Sequence, residues 1–265
     1  MRARKDSGLI HIFGKQPVQE AVTGGWPVRE ILVRGKIQDE FIRSVTSAAK
    51  RTGIPIVCME PPAFDRRFAR ASQGMVAIVK DVESRDLDEV MEGIPKGRPP
   101  FFVALDGIED PHNLGAITRT AYAMGVDAVV TPRRRSASIG EGAAKSSAGA
   151  IFKQPICQVA NLNYFIEWAK DRGLWVYGLD AQGKDTLWDT DFRGGVALVV
   201  GSEGRGISRL VRERCDFLVR IPMSGSIGSL NASVAAAMAI MEVQRQRTRG
   251  VNNGENRGYE SHSGT

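Results

Sequence analysis

Two patterns of apolar residues alternate along this chain, one typical of strands and one typical of helices. Continuous apolar runs, such as residues 101–105 and 196–200, are typical of strands that are buried on both faces. Between the runs lie stretches, such as 39–50 and 162–170, whose apolar residues recur every three or four positions and predict amphipathic helices. This alternation of strands and helices predicts an α/β protein with a mainly parallel sheet that helices cover on both faces.

Breaks in the pattern divide the chain into segments. Residues 9–80 predict a small α/β domain, and residues 101–249 predict a larger one. The segment between them, 81–100, is acidic and then rich in proline and glycine, which predicts a linker with one short helix. Residues 1–8 predict a flexible leader, and residues 250–265, which lack apolar periodicity, predict a disordered tail.

The composition is that of a globular protein with an ordinary core, since 42% of the 265 residues are hydrophobic and 25% are charged. No apolar run approaches the ~20 residues that cross a bilayer, and the basic N-terminus lacks the apolar segment of a secretory signal. Cys58, Cys157 and Cys215 each lie in or beside an apolar run, which favours buried thiols in a reducing cytoplasm over a disulfide framework or a zinc site. The histidines do not cluster, and we expect no metal site.

The net charge of +6 favours a polyanionic partner, although many proteins of this charge bind no nucleic acid. Two arginine clusters add to this signal. Each can be interpreted as a solvated surface or as a set of contacts to nucleic-acid phosphates. The clusters are Arg66, Arg67 and Arg70, and Arg133, Arg134 and Arg135.

Two glycine-rich loops in the C-terminal part of the chain each follow a predicted strand. The first, residues 201–206, follows the apolar run 196–200, and the second follows residues 217–221 and leads into a helix of small residues after Asn231. Such loops bring backbone amides and carbonyls to the carboxyl edge of a sheet, where open α/β proteins bind ligands. No Gly-x-Gly-x-x-Gly follows the first strand of the larger domain, so the motif order differs from that of a dinucleotide-binding fold.

Three stretches of the larger domain together carry a resemblance to a known family. Residues 110–119 read DPHNLGAITR, residues 200–207 read VGSEGRGI, and residues 221–233 begin with IPM and end with SLNAS. In order and spacing they resemble the three motifs of the SpoU (TrmH-type) RNA ribose methyltransferases of the SPOUT superfamily. The resemblance implies a trefoil-knotted α/β domain, S-adenosylmethionine as cofactor, methyl transfer to a ribose 2′-hydroxyl of RNA, and a homodimer.

The smaller domain carries a second resemblance, through residues 14–18 (GKQPV) and 72–77 (SQGMVA). It is similar to the L30e-like RNA-binding domain of the ribosomal RNA guanosine methyltransferase branch of the family. The resemblance implies that this domain binds the RNA substrate, and it favours large-subunit ribosomal RNA over tRNA. We expect Arg66, Arg67 and Arg70 to neutralise phosphates of that RNA.

The family motifs also assign roles to individual residues of this chain. The implied catalytic residues are Asn113, Arg119, Glu203, Ser229 and Asn231. The implied cofactor-binding residues are Val200, Gly201, Ile221, Met223 and Leu230. Gly201 would allow close approach of the backbone to the cofactor, and Ile221 and Leu230 would lie on either side of its adenine.

Each catalytic candidate has an ordinary structural interpretation as well. Asn113 fits the N-cap of the helix that follows it, Glu203 fits an exposed turn, and Arg119 fits an exposed helix position. Ser229 and Asn231 fit a loop and a helix cap. As a catalytic group, Arg119 fits an electrostatic stabiliser of a developing alkoxide better than a base, because a guanidinium keeps its proton at neutral pH. A non-catalytic RNA-binding assembly factor is the alternative function, and tRNA is the alternative substrate.

Overall fold

The computed structural model of the chain describes residues 8–68, 72–225 and 228–255. Within them the strands form two sheets, a four-stranded sheet near the N-terminus and a seven-stranded sheet after it. Arg70, residues 1–7 of the leader and the tail from residue 256 onward lie outside the described residues. None of the helices described is both long and apolar enough to cross a membrane.

The smaller unit alternates strands and helices. Its elements are β1 (Leu9–Phe13), α1 (Lys15–Thr23), β2 (Val28–Arg34), α2 (Glu40–Arg51), β3 (Ile56–Met59), α3 (Pro61–Arg67) and β4 (Met75–Lys80). The strand order is β1-β4-β2-β3, with β4 antiparallel to β1 and β2, and with β2 and β3 parallel. The helical spacing of residues 39–50 correctly predicted α2, whose buried residues include Ile42, Val45 and Ala49.

The larger unit contains the remaining strands and helices. They are α4 (Leu87–Glu92), β5 (Phe101–Asp106), α5 (Pro111–Ala123), β6 (Ala128–Pro132), α6 (Glu141–Ser146), β7 (Ile156–Val159), α7 (Leu162–Asp171), β8 (Trp175–Leu179), β9 (Asp185–Thr186), β10 (Val196–Gly201), α8 (Arg209–Arg214), β11 (Phe217–Arg220) and α9 (Ala232–Glu255). The strand order is β7-β6-β5-β10-β8-β11-β9, and the pairings between these strands are parallel. The predicted mainly parallel α/β sheet is therefore confirmed.

The core of this sheet lies at β5 and β10, whose apolar runs are buried on both faces as the sequence pattern predicted. Phe101 and Val103 belong to the cluster that packs against α5 and α9, whereas Phe102 belongs to the cluster that packs against α7. The ring of Phe102 lies edge-on to that of Trp168, with 5.3 Å between their centroids. Layers on both sides therefore hold the central strands in place.

The parallel arrangement brings the ends of distant strands to one edge of the sheet. In the register of β5 and β10, Val200 pairs with Leu105 and Gly201 with Asp106. At the other side of β10, β8 and β11 are aligned so that Leu179 pairs with Val219. The loops after β5, β8, β10 and β11 consequently emerge together, at the carboxyl edge where open α/β sheets bind ligands.

A close approach between α5 and α6 fixes the start of α5. A Cβ atom on Gly115 would lie 1.9 Å from the Ser146 Oγ and 2.6 Å from the carbonyl oxygen of Ala143. The glycine in the 110–119 motif is thus required by helix packing.

The segment 81–100 contains the predicted short helix, α4, which packs against the larger unit. Leu87 is buried, and Asp88 Oδ1 accepts hydrogen bonds from Trp168 Nε1 at 2.8 Å and from Arg172 Nη2 at 2.5 Å. The backbone N–H of Arg85 also donates to the carbonyl of Ile156. This part of the predicted linker is therefore a fixed layer over the sheet.

The two units also touch each other directly. The Trp26 ring lies 5.3 Å from the Phe152 ring, and Gly149 faces the indole so closely that a Cβ there would lie 2.0 Å from Trp26 Nε1. The backbone N–H of Phe13 donates to Glu141 Oε1 at 3.1 Å. These contacts join the end of β1 and the α1–β2 turn to the region of α6.

Several details differ from the sequence prediction. Cys58 is exposed, because β3 is an edge strand, so the expectation of three buried thiols is wrong at this position. The short elements β7, β9 and α8 were not predicted, and α9 continues to Glu255, past the predicted domain end at residue 249. The knot stays a prediction from the resemblance.

Candidate active site

Three chain segments meet at the carboxylate of Glu203. Its Oε1 accepts hydrogen bonds from Asn113 Nδ2 at 2.9 Å and from Asn231 Nδ2, and the backbone N–H of Ala232 donates to the same oxygen at 3.4 Å. Asn231 Nδ2 also donates to Asn113 Oδ1 at 3.1 Å. The three side chains form a closed triangle, which we call the carboxylate–amide cluster (Asn113, Glu203 and Asn231).

Each member of the cluster comes from a different element. Asn113 lies in the first turn of α5, Glu203 lies in the loop after β10, and Asn231 immediately precedes α9. Asn231 Oδ1 accepts from the backbone N–H groups of Ser233 at 2.9 Å and Val234 at 3.3 Å, so this residue caps α9. The positive end of the α9 dipole then favours the Glu203 carboxylate beside it.

Asn113 is not the N-cap of α5, and that structural interpretation is wrong. Asp110 occupies the cap, and its Oδ1 accepts from the backbone N–H of His112 at 3.0 Å, with Pro111 at the first helical position. The sequence favoured Asn113 because Asn is a common cap residue, but Asp followed by Pro is the stronger local signal. The Asn113 amide is thereby available for Glu203.

The loop that carries Glu203 is closed by backbone hydrogen bonds. The N–H of Ser202 donates to the carbonyl of Gly206 at 3.2 Å, and the N–H of Gly206 donates to the carbonyl of Ser202 at 2.8 Å. Gly204 and Gly206 have φ values of 76° and 65°, which glycine adopts without strain. A Cβ on Gly201 would lie 2.1 Å from the carbonyl carbon of Gly206, so Gly201 is required by the fold of the loop itself.

A cleft of about 240 Å³ opens beside the cluster at the carboxyl edge of the sheet. Backbone from three loops and a mostly apolar set of side chains surround it. Its walls include the five candidate cofactor-binding residues Val200, Gly201, Ile221, Met223 and Leu230. Ala235 of α9 and Val219 at the end of β11 complete the apolar surface.

The cleft also contains polar residues that the sequence reasoning missed. Asp180 follows β8, is buried, and forms an ion pair with Arg212 of α8. Its Oδ1 accepts from the backbone N–H of Gln182 at 2.8 Å. The sequence signal that could have indicated Asp180 is its position directly after an apolar strand. The sequence does not show that β8 lies beside β10 in the sheet, and this neighbourhood is what brings Asp180 to the cleft.

Cys215 lies behind the β8 wall and is half-buried. Burial raises the pKa of its thiol to about 12, with a further contribution from the negative charge of Asp216. The thiol therefore stays protonated at neutral pH, which does not suit a nucleophile. Among the described residues, no group of three or more His, Cys, Asp or Glu side chains could hold a metal ion.

Ser229 and Arg119 lie outside the cluster. Ser229 is on the wall of the cleft, next to Leu230. Arg119 is exposed on α5, six positions after Asn113, which is roughly 9 Å along the helix axis. Within the part of the chain described, Arg119 makes no hydrogen bond or ion pair with the cluster.

The predicted phosphate-binding arginines of the smaller unit lie in or beyond its third helix. Arg66 and Arg67 are exposed in the last turn of α3, and the Arg67 guanidinium lies 5.2 Å from the centre of the Phe68 ring. Arg70, the third member, lies outside the described residues.

Two family models match this chain. The model of the SpoU rRNA Methylase family matches residues 100–241, and the model described as RNA 2′-O ribose methyltransferase substrate binding matches residues 11–85. The first range contains the whole carboxylate–amide cluster and the cleft. The second range contains the four-stranded sheet except the start of β1.

Three similar proteins cover between 62% and 94% of this chain. YacO of Bacillus subtilis, a candidate TrmH family tRNA/rRNA methyltransferase, is 39% identical over 238 residues, which cover 89% of this chain and 96% of YacO. The SpoU methyltransferase AviRb of Streptomyces viridochromogenes was solved in complex with AdoMet. It has a TM-score of 0.72 and is 28% identical, and the match covers 94% of this chain and 96% of AviRb. The TrmH/SpoU tRNA modifying enzyme of A. aeolicus has a TM-score of 0.53 and 28% identity, with 62% of this chain and 84% of that enzyme covered.

Loss of the Glu203 carboxylate should loosen the start of α9. We expect Glu203→Ala to lower the free energy of unfolding by about 1 kcal/mol, because two amides and one backbone N–H lose their shared acceptor. Glu203→Gln, which keeps an acceptor oxygen, should lose less. Thermal unfolding measures the effect, with Glu213→Ala as the control, since its ion pair with Arg209 is exposed and long. Equal stability of Glu203→Ala and the parent protein would contradict this role.

Proposed function

This chain belongs to the SpoU rRNA Methylase family, and we propose that it transfers a methyl group from S-adenosylmethionine to a ribose 2′-hydroxyl of RNA. The observation that carries the proposal is the carboxylate–amide cluster at the mouth of an apolar cleft. A cleft of this kind suits a cofactor, and the cluster supplies the polar groups that orient a hydroxyl.

The residues of the cleft fit S-adenosylmethionine. Leu179, Val219, Ile221 and Leu230 offer an apolar surface for an adenine ring, and exposed loop backbone offers hydrogen-bonding groups for its edge. On a further side of the cleft, a Cβ on Gly228 would meet no atom of the described residues within 4 Å. When bound, the cofactor supplies an electrophilic sulfonium methyl group. AviRb, a similar protein, was solved in complex with AdoMet, which supports the choice of this cofactor.

We assign Glu203 to the orientation of the target ribose. Its Oε1 is occupied by the donors of Asn113, Asn231 and Ala232, whereas Oε2 accepts no hydrogen bond from the residues described. Oε2 is thus available to accept a hydrogen bond from a 2′-hydroxyl, which would point a lone pair of the oxygen towards the methyl group, and to receive the hydroxyl proton as the oxygen is methylated. The two asparagines hold the carboxylate still while it does so.

We assign Arg119 to stabilisation of the negative charge that develops on the 2′ oxygen. A guanidinium suits this role because it carries a positive charge and several donors. Arg119 lies on the exposed side of α5 with Tyr122, one helical turn away. Its side chain is therefore free to meet an RNA molecule that covers this surface.

The substrate that we favour is large-subunit ribosomal RNA. The smaller unit matches a substrate-binding family model, and the A. aeolicus tRNA enzyme covers a much smaller share of this chain than AviRb does. A second RNA-binding unit suits a large folded RNA in which the target nucleotide is recognised at a distance from the reaction. Action on ribosomal RNA would place the enzyme in the cytoplasm. The alternative substrate is tRNA, which the name of YacO also includes.

We further propose a homodimer that forms through α5 and α9. These helices pack against each other, and apolar side chains remain exposed on them at helical spacing. They are Tyr122 of α5 and Val234 and Met241 of α9. Arg119 would then lie at the border of the subunit interface.

Filling the cleft should block the cofactor. Ala235 lines the cleft from α9, so Ala235→Phe should project a ring into it and weaken S-adenosylmethionine binding at least about tenfold, as measured by calorimetry. Thr248→Phe, which is exposed further along α9, is the control. Gly201 is a poor choice for this test, because a side chain there also collides with Gly206. Unchanged affinity in Ala235→Phe would place the cofactor elsewhere.

The proposed reaction predicts a missing 2′-O-methyl mark in large-subunit ribosomal RNA when the gene is deleted. Total RNA mapped with and without the gene tests this. The parent protein should restore the mark, and Arg119→Ala should lower the rate of methyl transfer at least about a hundredfold with unchanged cofactor affinity, because one charge-stabilising group is lost. A mark missing only from tRNA would overturn the substrate, and methylation of a base would overturn the reaction.

The proposed dimer predicts that the protein sediments with about twice the 28.8 kDa mass of one chain. A charged group at an apolar interface carries a large desolvation cost, so Met241→Glu should shift the protein to monomer. Leu210→Glu, at an equally exposed residue of α8, should not. A parent protein that is monomeric at micromolar concentration refutes the dimer.

A further inference from the structure

Three consecutive arginines, Arg133, Arg134 and Arg135, begin the loop after β6. We call them the arginine triplet. All three side chains are exposed, and within the described part of the chain none forms an ion pair or a side-chain hydrogen bond. Other arginines of this protein do have carboxylate partners, as in the pairs Arg34–Asp65 and Arg245–Glu242. The triplet is therefore a local concentration of uncompensated positive charge.

The loop that carries the triplet is fixed at both ends. The backbone N–H of Arg133 donates to the carbonyl of Val159, at the end of β7, at 2.9 Å. The N–H of Ala137 donates to the carbonyl of Ile108, in the loop after β5, at 2.7 Å, and the Ala137 side chain is buried. The three guanidinium groups thus project from an anchored backbone, which lowers the entropy lost when they bind a ligand.

Arg135 has a φ of 57°, in the left-handed region that favours glycine. A side chain in this region costs free energy, and such residues cluster at functional sites. A glycine would fit this turn without strain. The strained arginine at this position is a second observation, independent of charge, that points to a role for its side chain.

The triplet stands at the same sheet edge as the carboxylate–amide cluster. The edge runs in the order β6, β5, β10, so the loop after β6 lies two strands from the loop that carries Glu203. At the usual strand spacing this is roughly 10 Å across the edge. The cofactor cleft extends from the cluster in the opposite direction, towards β8 and β11.

We propose that the arginine triplet binds the phosphodiester backbone of the RNA substrate next to the nucleotide that is methylated. This inference rests on the proposed function. A separation of roughly 10 Å corresponds to about three nucleotides of a stacked strand, at about 3.4 Å each. The strand would pass over the β6 and β5 ends, deliver one ribose to Glu203, and leave the cofactor side of the edge clear.

The neighbouring loop contains two carboxylates, which reduce the positive field of the triplet. Asp110 is engaged as the cap of α5, and Glu109 is exposed beside it. Three positive charges against two negative ones leave this part of the edge net positive. RNA phosphates would therefore be attracted to the loop after β6, which carries the triplet, and repelled from Glu109 in the loop after β5. This difference would direct the path of the RNA strand across the edge.

The test uses the full-length protein and an unmodified in vitro transcript of large-subunit ribosomal RNA. We expect Arg133→Ala/Arg134→Ala/Arg135→Ala to bind this RNA at least about tenfold more weakly. The slope of log affinity against log salt should become shallower by about two, at roughly 0.7 for each phosphate of a single strand that the protein no longer neutralises. The kcat/KM for methyl transfer should fall with RNA affinity, whereas S-adenosylmethionine affinity should not change.

A charge-matched control separates this site from a general effect of net charge. Lys170, Arg193 and Arg214 each lie a few residues before one of the strands β8, β10 and β11, at the opposite edge of the same sheet. Lys170→Ala/Arg193→Ala/Arg214→Ala removes the same charge and should leave RNA affinity and its salt dependence close to those of the parent. An equal loss in both triple variants would overturn the proposal.

Arg135→Gly separates RNA binding from folding. It removes the guanidinium and relieves the backbone strain, so thermal stability should be unchanged or higher while RNA affinity falls severalfold. Unchanged RNA affinity and salt slope in the arginine-triplet variant, beside normal methylation by the parent, would overturn this inference and leave the proposed function standing. If the parent protein binds and methylates neither the ribosomal transcript nor an unmodified tRNA pool, the proposed function fails and this inference fails with it.

Discussion

The arrangement of the active site depends on the Glu203 carboxylate, whose Oε1 accepts from Asn113, Asn231 and the backbone of Ala232. Asn113 lies 90 positions from Glu203 and 118 from Asn231 along the chain. An ionised acceptor makes stronger hydrogen bonds than a neutral one, and here it also lies at the positive end of α9. One oxygen atom therefore ties the starts of two helices to the loop between β10 and α8.

Close backbone packing makes this meeting point possible. Gly115 allows α5 to lie against α6, which sets the position of the first turn of α5 and of Asn113 within it. Gly201 allows the loop after β10 to fold back on Gly206, which sets where Glu203 projects. Neither glycine leaves space for a Cβ atom, so both act through the backbone. Gly201 also lines the cleft beside the cluster.

The sheet order separates the two sides of the active site. The cleft lies on the side of β8 and β11, and the arginine triplet lies on the side of β6, with the carboxylate–amide cluster between them. An apolar cleft suits a cofactor, and an exposed basic loop suits a polyanion. Under the proposed function, this division would give each ligand its own approach and would bring their reactive groups together at the cluster. The smaller unit contacts the region of α6 through Trp26 and Phe13.

The sequence by itself determined the elements that depend on local pattern. The apolar runs of β5 and β10 and the helical spacing of α2 and α7 predicted the positions and buried faces of these elements, because periodicity reflects burial directly. Motifs with a family resemblance also predicted the residues that line the cleft. Short elements such as β7, β9 and α8 carry too few residues for a clear period, and the sequence did not predict them.

Only the tertiary structure decided which residues meet. The order of strands along the chain does not indicate that β10 lies between β5 and β8 in the sheet. This position of β10 brings Asp180 to the cleft and Glu203 to Asn113. The tertiary structure also decided that Asp110 caps α5, which leaves the Asn113 amide available for Glu203. Arg119, on the same helix, makes no contact with Asn113 or Glu203 among the hydrogen bonds of the described residues. The physical reason is that these contacts join residues far apart in the chain, and their geometry follows from strand order and helix packing, which no local period encodes.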